Sequence, residues 1–280
     1  MLVVDGEDFA RLDLGGRDPV TLTELRAPGG GHVLRGFPLR PREGESRDHP
    51  EQAGMWAAHG DFDGHDLWKG GGAFAREHSL RLTRDGAAEV SARIDWRSPE
   101  GTRVCGETRT YRFQATPEQR VVDVTLRMEA TGSGFALGDV RDGFFALRLS
   151  DGFQIRPGSE AGSFSSKGAR GDRIYGDRAR WVACVGALPG AGGMQERATV
   201  CVLDHPSNAQ HPPAWNARPY GLVAANPFAV TAFADDGAPP RPLVVDGYGS
   251  LTLRYRVVIA AGAIDFNAAE GLWTEFAREE

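Results

Sequence analysis

The stretch SLTLRYRVVI, residues 250–259, alternates apolar and polar side chains with a period of two. Leu251, Leu253, Tyr255, Val257 and Ile259 fall on one side of an extended chain; Thr252, Arg254 and Arg256 fall on the other. Successive side chains of a strand point to opposite faces, so this is a half-buried β-strand. AEVSARIDW (88–96) repeats the pattern, setting Val90, Ala92, Ile94 and Trp96 against Ser91, Arg93 and Asp95. VVDVTLRM (121–128) sets Val122, Val124, Leu126 and Met128 against Asp123, Thr125 and Arg127. In FFALRLS (144–150) the apolar set is Phe145, Leu147 and Leu149. Arg148 then lies on the polar face, where a solvated charge is expected.

Further strands are expected near 2–14, 20–26, 74–83, 103–114, 179–185 and 197–203, separated by turns rich in Gly and Pro. The tail DFNAAEGLWTEFAREE reads as a helix over 265–278, with Leu272 and Phe276 one turn apart and Asp265 or Asn267 as N-cap. No short repeat or linker divides the chain. The expectation is one all-β domain, residues 1–280: a large antiparallel β-sandwich of more than ten strands with a C-terminal helix.

Composition narrows the function classes. The chain has 280 residues, 41% of them hydrophobic, and a formal net charge of −6. No basic stripe is present, so nucleic acid is not an expected partner. No apolar run approaches the roughly 20 residues that span a bilayer, so no membrane partner is expected. The opening MLVVDGEDFARL turns acidic at once and has no basic n-region, so no secretory leader is expected and the cytoplasm is the expected location. Cys105, Cys184 and Cys201 are widely spaced with no C-x-x-C pair, which argues for buried free thiols.

Two segments, 38–72 and 204–228, break the alternation and are rich in Gly, Pro, His and Trp. Long irregular segments in a compact domain usually carry a site, so both are expected to be site-forming loops. DHPEQAGMWAAHGDFDGHDLW (48–68) and DHPSNAQHPPAWNARPYGLVAANPF (204–228) share an Asp-His-Pro triplet and hold five of the seven histidines: His49, His59, His65, His205 and His211. Taken singly, such a triplet is a turn in which Asp accepts backbone N–H groups and Pro ends the local bonding. Taken together, the two runs point to one shared site. Imidazole titrates near about pH 6.5 and can move a proton at neutral pH. Tryptophan gives an apolar plate for a sugar ring. His49, His59, His65 and a carboxylate could also ligate a metal, but the spacing matches no zinc signature and no thiolates accompany it. No metal site and no cofactor are therefore expected.

At these runs the sequence resembles a bacterial family labelled PmoA or methane oxygenase-like. The matching residues are Asp48-His49-Pro50, Gly54-Met55-Trp56, Ala58-His59-Gly60-Asp61, Gly64, Asp66 and Trp68, the run Arg178-Ala179-Arg180-Trp181-Val182, and Asp204-His205-Pro206 with Asn208. Trp215, Arg218, Tyr220-Gly221-Leu222, Asn226-Pro227-Phe228 and the run from Gly249 to Arg256 follow in order. The name is not literal, since a membrane subunit needs long apolar spans. The resemblance implies a sugar-related protein with a supersandwich like that of aldose epimerases. Where that family has His-His-Arg, this chain has Glu51-Gln52-Ala53, and Asn216 stands where a histidine often follows the tryptophan.

The expected function is acid–base chemistry on a sugar, glycoside or oxidised sugar, as an epimerase, lyase or hydrolase. His49, His59, His205 and Glu51 are the expected proton carriers, oriented by Asp48, Asp61 and Asp204. Trp56, Trp68, His65, Arg178, His211, Trp215, Arg218, Tyr220 and Asn226 are expected to bind the small-molecule carbohydrate. The alternatives are a non-catalytic sugar-binding or accessory protein, and a metal-dependent hydrolase or oxygenase. Assembly into a homo-oligomer is left open.

Overall fold

The computed structural model describes residues 2–4, 7–14, 19–70, 72–83, 86–190, 194–234 and 236–279; residues 5–6 of the expected first strand lie outside them. The strands are β1 (Leu2–Val4), β2 (Glu7–Asp13), β3 (Thr21–Leu25), β4 (Met55–His59), β5 (Gly72–Leu82), β6 (Ala88–Arg97), β7 (Arg103–Ala115), β8 (Gln119–Glu129) and β9 (Phe135–Leu137). They continue with β10 (Gly143–Arg148), β11 (Gly162–Ser165), β12 (Trp181–Pro189), β13 (Gln195–Asp204), β14 (Ala214–Ala217), β15 (Leu222–Asn226), β16 (Leu243–Val245) and β17 (Ser250–Ala261), before the helix α1 (Phe266–Phe276).

Two large sheets face each other. One has the order β1-β2-β3-β4-β10-β15-β14, the other β11-β12-β13-β17-β8-β7-β6-β5, and β16 pairs with β9 apart from both. Every strand pairing among the described residues is antiparallel, as expected of an all-β sandwich. The alternating strands behave as their sequences require. Leu253 pairs with Leu126, Tyr255 with Val124 and Val257 with Val122, and all six are buried in the core shared by the two sheets. From the opposite sheet, Phe145 stacks on Tyr255 with ring centroids 4.5 Å apart.

Helix α1 packs on the outer face of the eight-stranded sheet at β12, β13 and β17. Ala269 and Phe276 pack on Trp181, Ala183, Leu203 and Val258. Asp265 caps this helix, accepting a hydrogen bond from Ala268 N at 2.8 Å. Removing that acceptor in Asp265→Ala should lower stability by about 1 kcal/mol, measured as a shift in the urea midpoint with an unchanged slope. No helix among the described residues is long and apolar enough to cross a membrane.

The seven-stranded sheet holds a surprise. Strands β4, β14 and β15 lie inside the segments 38–72 and 204–228, which show no alternation. They are buried on both faces: all five residues of β4, all four of β14 and all five of β15 are buried. A strand covered on both sides reads as a mixed apolar run and loses its period-two signature. On the outer face, Trp56 pairs with Ala146, Ala146 with Ala224 and Ala224 with Asn216. This row of small side chains next to a tryptophan forms a floor on which Trp68, Leu222 and Tyr220 pack.

Candidate functional site

The first Asp-His-Pro triplet sits on two buried guanidinium groups. Arg148, on β10, is fully buried, which overturns the expectation of a solvated charge. Its polar parity is correct, but the face it occupies is covered. Arg35 is buried beside it, and its backbone N–H donates to Arg148 O at 3.0 Å. Between them they hold the Asp48 carboxylate. Arg35 Nη1 donates to Oδ1 at 2.8 Å, and Arg148 Nη2 donates to Oδ1 at 2.8 Å and to Oδ2 at 2.9 Å. Burial works to raise the Asp48 carboxyl, but the hydrogen bond and charge of Arg148 and the charge of Arg35 outweigh it and hold the group below the usual carboxylate range.

The same two arginines fix the backbone that follows. Arg35 donates to Asp48 O at 2.7 Å, His49 O at 3.0 Å and Gln52 O at 2.9 Å. Arg148 donates to Gln52 Oε1 at 2.8 Å. Bound in this way, His49 adopts a left-handed backbone with φ of 46°, a conformation that is uncommon outside glycine and persists only where its surroundings impose it. The His49 ring remains open to solvent, stacked 5.1 Å from Tyr220. Its Nδ1 lies 3.3 Å from Glu51 Oε1, and its Nε2 lies 3.8 Å from Asp48 Oδ2. The Tyr220 ring also receives the Arg148 guanidinium, 4.5 Å from its centroid.

Beside this loop opens a cleft of about 280 Å³, lined by Leu39, Pro50, Glu51, Trp56, Trp68 and Lys69 among others. Trp56 and Trp68 pack at a tilt with centroids 5.3 Å apart. The Trp56 indole N–H is buried with no protein partner among the described residues. Asp66 Oδ1 accepts from the backbone N–H groups of Trp68 and Lys69, both at 3.1 Å, and so sets the turn that presents Trp68. Asp142, just before β10, completes the surroundings. Burial holds its carboxyl above the ordinary range; Asp66 and Glu51 push the same way, and Lys69 opposes them.

The remaining residues expected in the site lie elsewhere. His59 is fully buried between Phe144 and Phe228, with Nε2 bonded to Gly138 O at 2.8 Å. Burial lowers its pKa to about 4, so it stays neutral in the core. Asp61 closes a turn by accepting from Gly64 N at 3.1 Å, and His65 sits 3.9 Å from Glu100.

Asp204 ends β13 on its inward face and is paired in register with Tyr255. It accepts from Asn208 Nδ2 at 2.7 Å and lies 2.5 Å from His211 Nδ1. Burial raises its carboxyl despite those two bonds. His205 Nδ1 meets Ser207 Oγ at 2.6 Å, and its Nε2 meets Glu279 O at 3.0 Å, which ties down the end of the chain. Trp215 is a core residue donating to Ala179 O, and Asn226 is a buried clamp on Val140 O and Arg141 O. Arg178 donates to Gln210 O and Ala229 O, while Arg218 lies over the Tyr175 ring at 4.3 Å. Of the residues nominated in 204–228, Tyr220 therefore reaches the cleft loop. The second triplet makes its hydrogen bonds at the end of the other sheet. Among the described residues, no three His, Cys, Asp or Glu side chains are grouped to hold a metal ion.

Arg35, Gln52, Lys69, Asp142 and Arg148 enter the site without having been nominated. For Arg148 a signal existed: one arginine within a strand otherwise composed of Phe, Ala and Leu must find a partner if both faces are covered. The chain belongs to a family of unknown function, DUF6807, whose model matches residues 2–274. No curated protein matches it.

Proposed function

We propose that this protein binds a carbohydrate in the Trp56–Trp68 cleft and that His49 moves a proton on it. The observation that carries the reading is an open imidazole held in a left-handed backbone by buried arginines, next to an aromatic-walled hollow. With Nδ1–H donated to Glu51, the Nε2 lone pair is the base. Epimerisation, elimination and glycoside hydrolysis all use such a transfer. The sugar-related family resembled by the 48–68 and 204–228 runs supports the same substrate class. In a panel of methyl glycosides and oxidised sugars, turnover should be lost in His49→Ala and kept in His78→Ala, a residue exposed on β5. Equal turnover in the two variants would end the proposal.

A second reading, sugar binding without turnover, is favoured by Gln52. It stands where the resembled family has a histidine, and it is spent on Arg148 as a structural acceptor. Sugar binding that is unchanged in His49→Ala, with no product formed by either protein, would select this reading.

A further inference from the structure

The charges around the cleft discriminate between sugars. Glu51 lines it, Asp66 anchors its Trp68–Lys69 turn, and Asp142 stands within electrostatic reach of both. Against these three carboxyl groups stands one ammonium, Lys69, whose Nζ is already 3.4 Å from Asp66. The strong cations nearby are not available. Arg35 and Arg148 have fully buried side chains, and every terminal nitrogen of both is engaged by Asp48, by Gln52 or by backbone carbonyls of the 46–52 loop. Arg40, 4.0 Å from Glu24, and Arg47 are exposed, and neither lines the cleft. Recognition of a carboxylate normally uses an open bidentate guanidinium, and among the described residues the cleft offers none.

We infer that the cleft takes an uncharged pyranose ring and rejects the corresponding uronate, because a substrate carboxylate would meet Glu51 in the lining, with Asp66 and Asp142 behind it, and no cation among the described residues is free to receive it. The inference rests on the carbohydrate reading above and narrows it to neutral sugars. Burial between tryptophans strengthens the repulsion, since the field of a charge in a low-dielectric hollow is poorly screened.

The test is calorimetric titration of the full chain at pH 7 with methyl gluco-, galacto- and mannopyranosides and with the methyl glycosides of the three matching uronic acids, their carboxylates free. The pairs differ only at C6. The expected result is at least one neutral sugar binding roughly tenfold or more tighter than its uronate, with the gap narrowed several-fold in both Glu51→Gln and Asp142→Asn. A uronate that binds as tightly as its neutral partner, or more tightly, overturns the inference and leaves the carbohydrate reading standing. A gap that persists unchanged in both variants also overturns it, since the carboxylates would then not be its source. Failure of all six ligands to bind removes the inference and the carbohydrate reading together.

Discussion

Asp48→Ala should lower the stability of this protein by about 3–5 kcal/mol, although the side chain is 41% exposed. Substitutions at positions that accessible usually change stability by no more than about 0.5 kcal/mol. The difference comes from what lies beneath. Arg35 and Arg148 are neighbours with no side-chain exposure of their own, and their mutual repulsion is offset first by this carboxylate, the one that both of them touch, with Asp151 and Glu45 adding to it at Arg35. Removing it leaves two like charges in a covered layer, with backbone carbonyls and Gln52 as their remaining acceptors. Asp48→Asn keeps one acceptor oxygen and should fall between the two.

The pH dependence has a definite sign. The Asp48 carboxyl is depressed in the folded state, so its contribution is complete above the ordinary carboxylate range and is lost as pH falls through the lower folded value. The gap between wild type and Asp48→Ala should therefore be constant from pH 7 down to about pH 4 and close only below that. Urea denaturation across that range measures it. A gap that already closes between pH 7 and pH 5 would mean that the Asp48 carboxylate is not what offsets the two arginines.

That arrangement also shows what could be read from the chain alone. β8, β17 and the inward half of β6 were legible because one face meets the core and the other meets solvent or a charged surface. β4, β14 and β15 were not, because Trp68, Tyr220 and neighbouring loops cover the outer face of their sheet, and a doubly covered strand has no period. The same fact hid Arg148. The shared Asp-His-Pro triplet suggested a single site, yet its two copies fall in unlike places. In β13 the parity Val200, Val202, Asp204 puts the second aspartate on the same inward face as the core valines. That parity was present in the sequence and, followed one step further, separates the two triplets. The exposure of His49 was not readable, because it depends on Arg35, which lies in a segment with no motif of its own.

The second large effect lies deeper. Arg109→Met should destabilise the protein by about 3–5 kcal/mol, while the double variant Glu107→Gln/Arg109→Met should recover most of that loss. Glu107 and Arg109 face the interior from β7 and show almost no solvent exposure. The guanidinium donates to both carboxylate oxygens, from Nε at 2.5 Å and from Nη2 at 2.7 Å, and Trp96 Nε1 adds a bond at 2.6 Å. Burial works to lower the Arg109 pKa, but the Glu107 charge outweighs it and raises it, so the pair stays ionised. Deleting the arginine alone strands a carboxylate in the core with an indole N–H as its main partner. Glutamine in its place keeps an acceptor for Trp96 and carries no charge, and methionine fills much of the arginine volume. If the double variant were as unstable as the single one, the loss would come from packing around Trp96, which touches Phe62 and Phe144, and the electrostatic account would fail. The outcome bears on the cleft as well. Phe144 belongs to β10, the strand that carries Arg148, so a disturbed Trp96 is coupled through its contact with Phe144, and then along β10, to the loop that holds His49. The sugar binding proposed above should therefore match wild type in the stable double variant, whereas Arg109→Met should weaken it in proportion to its unfolding.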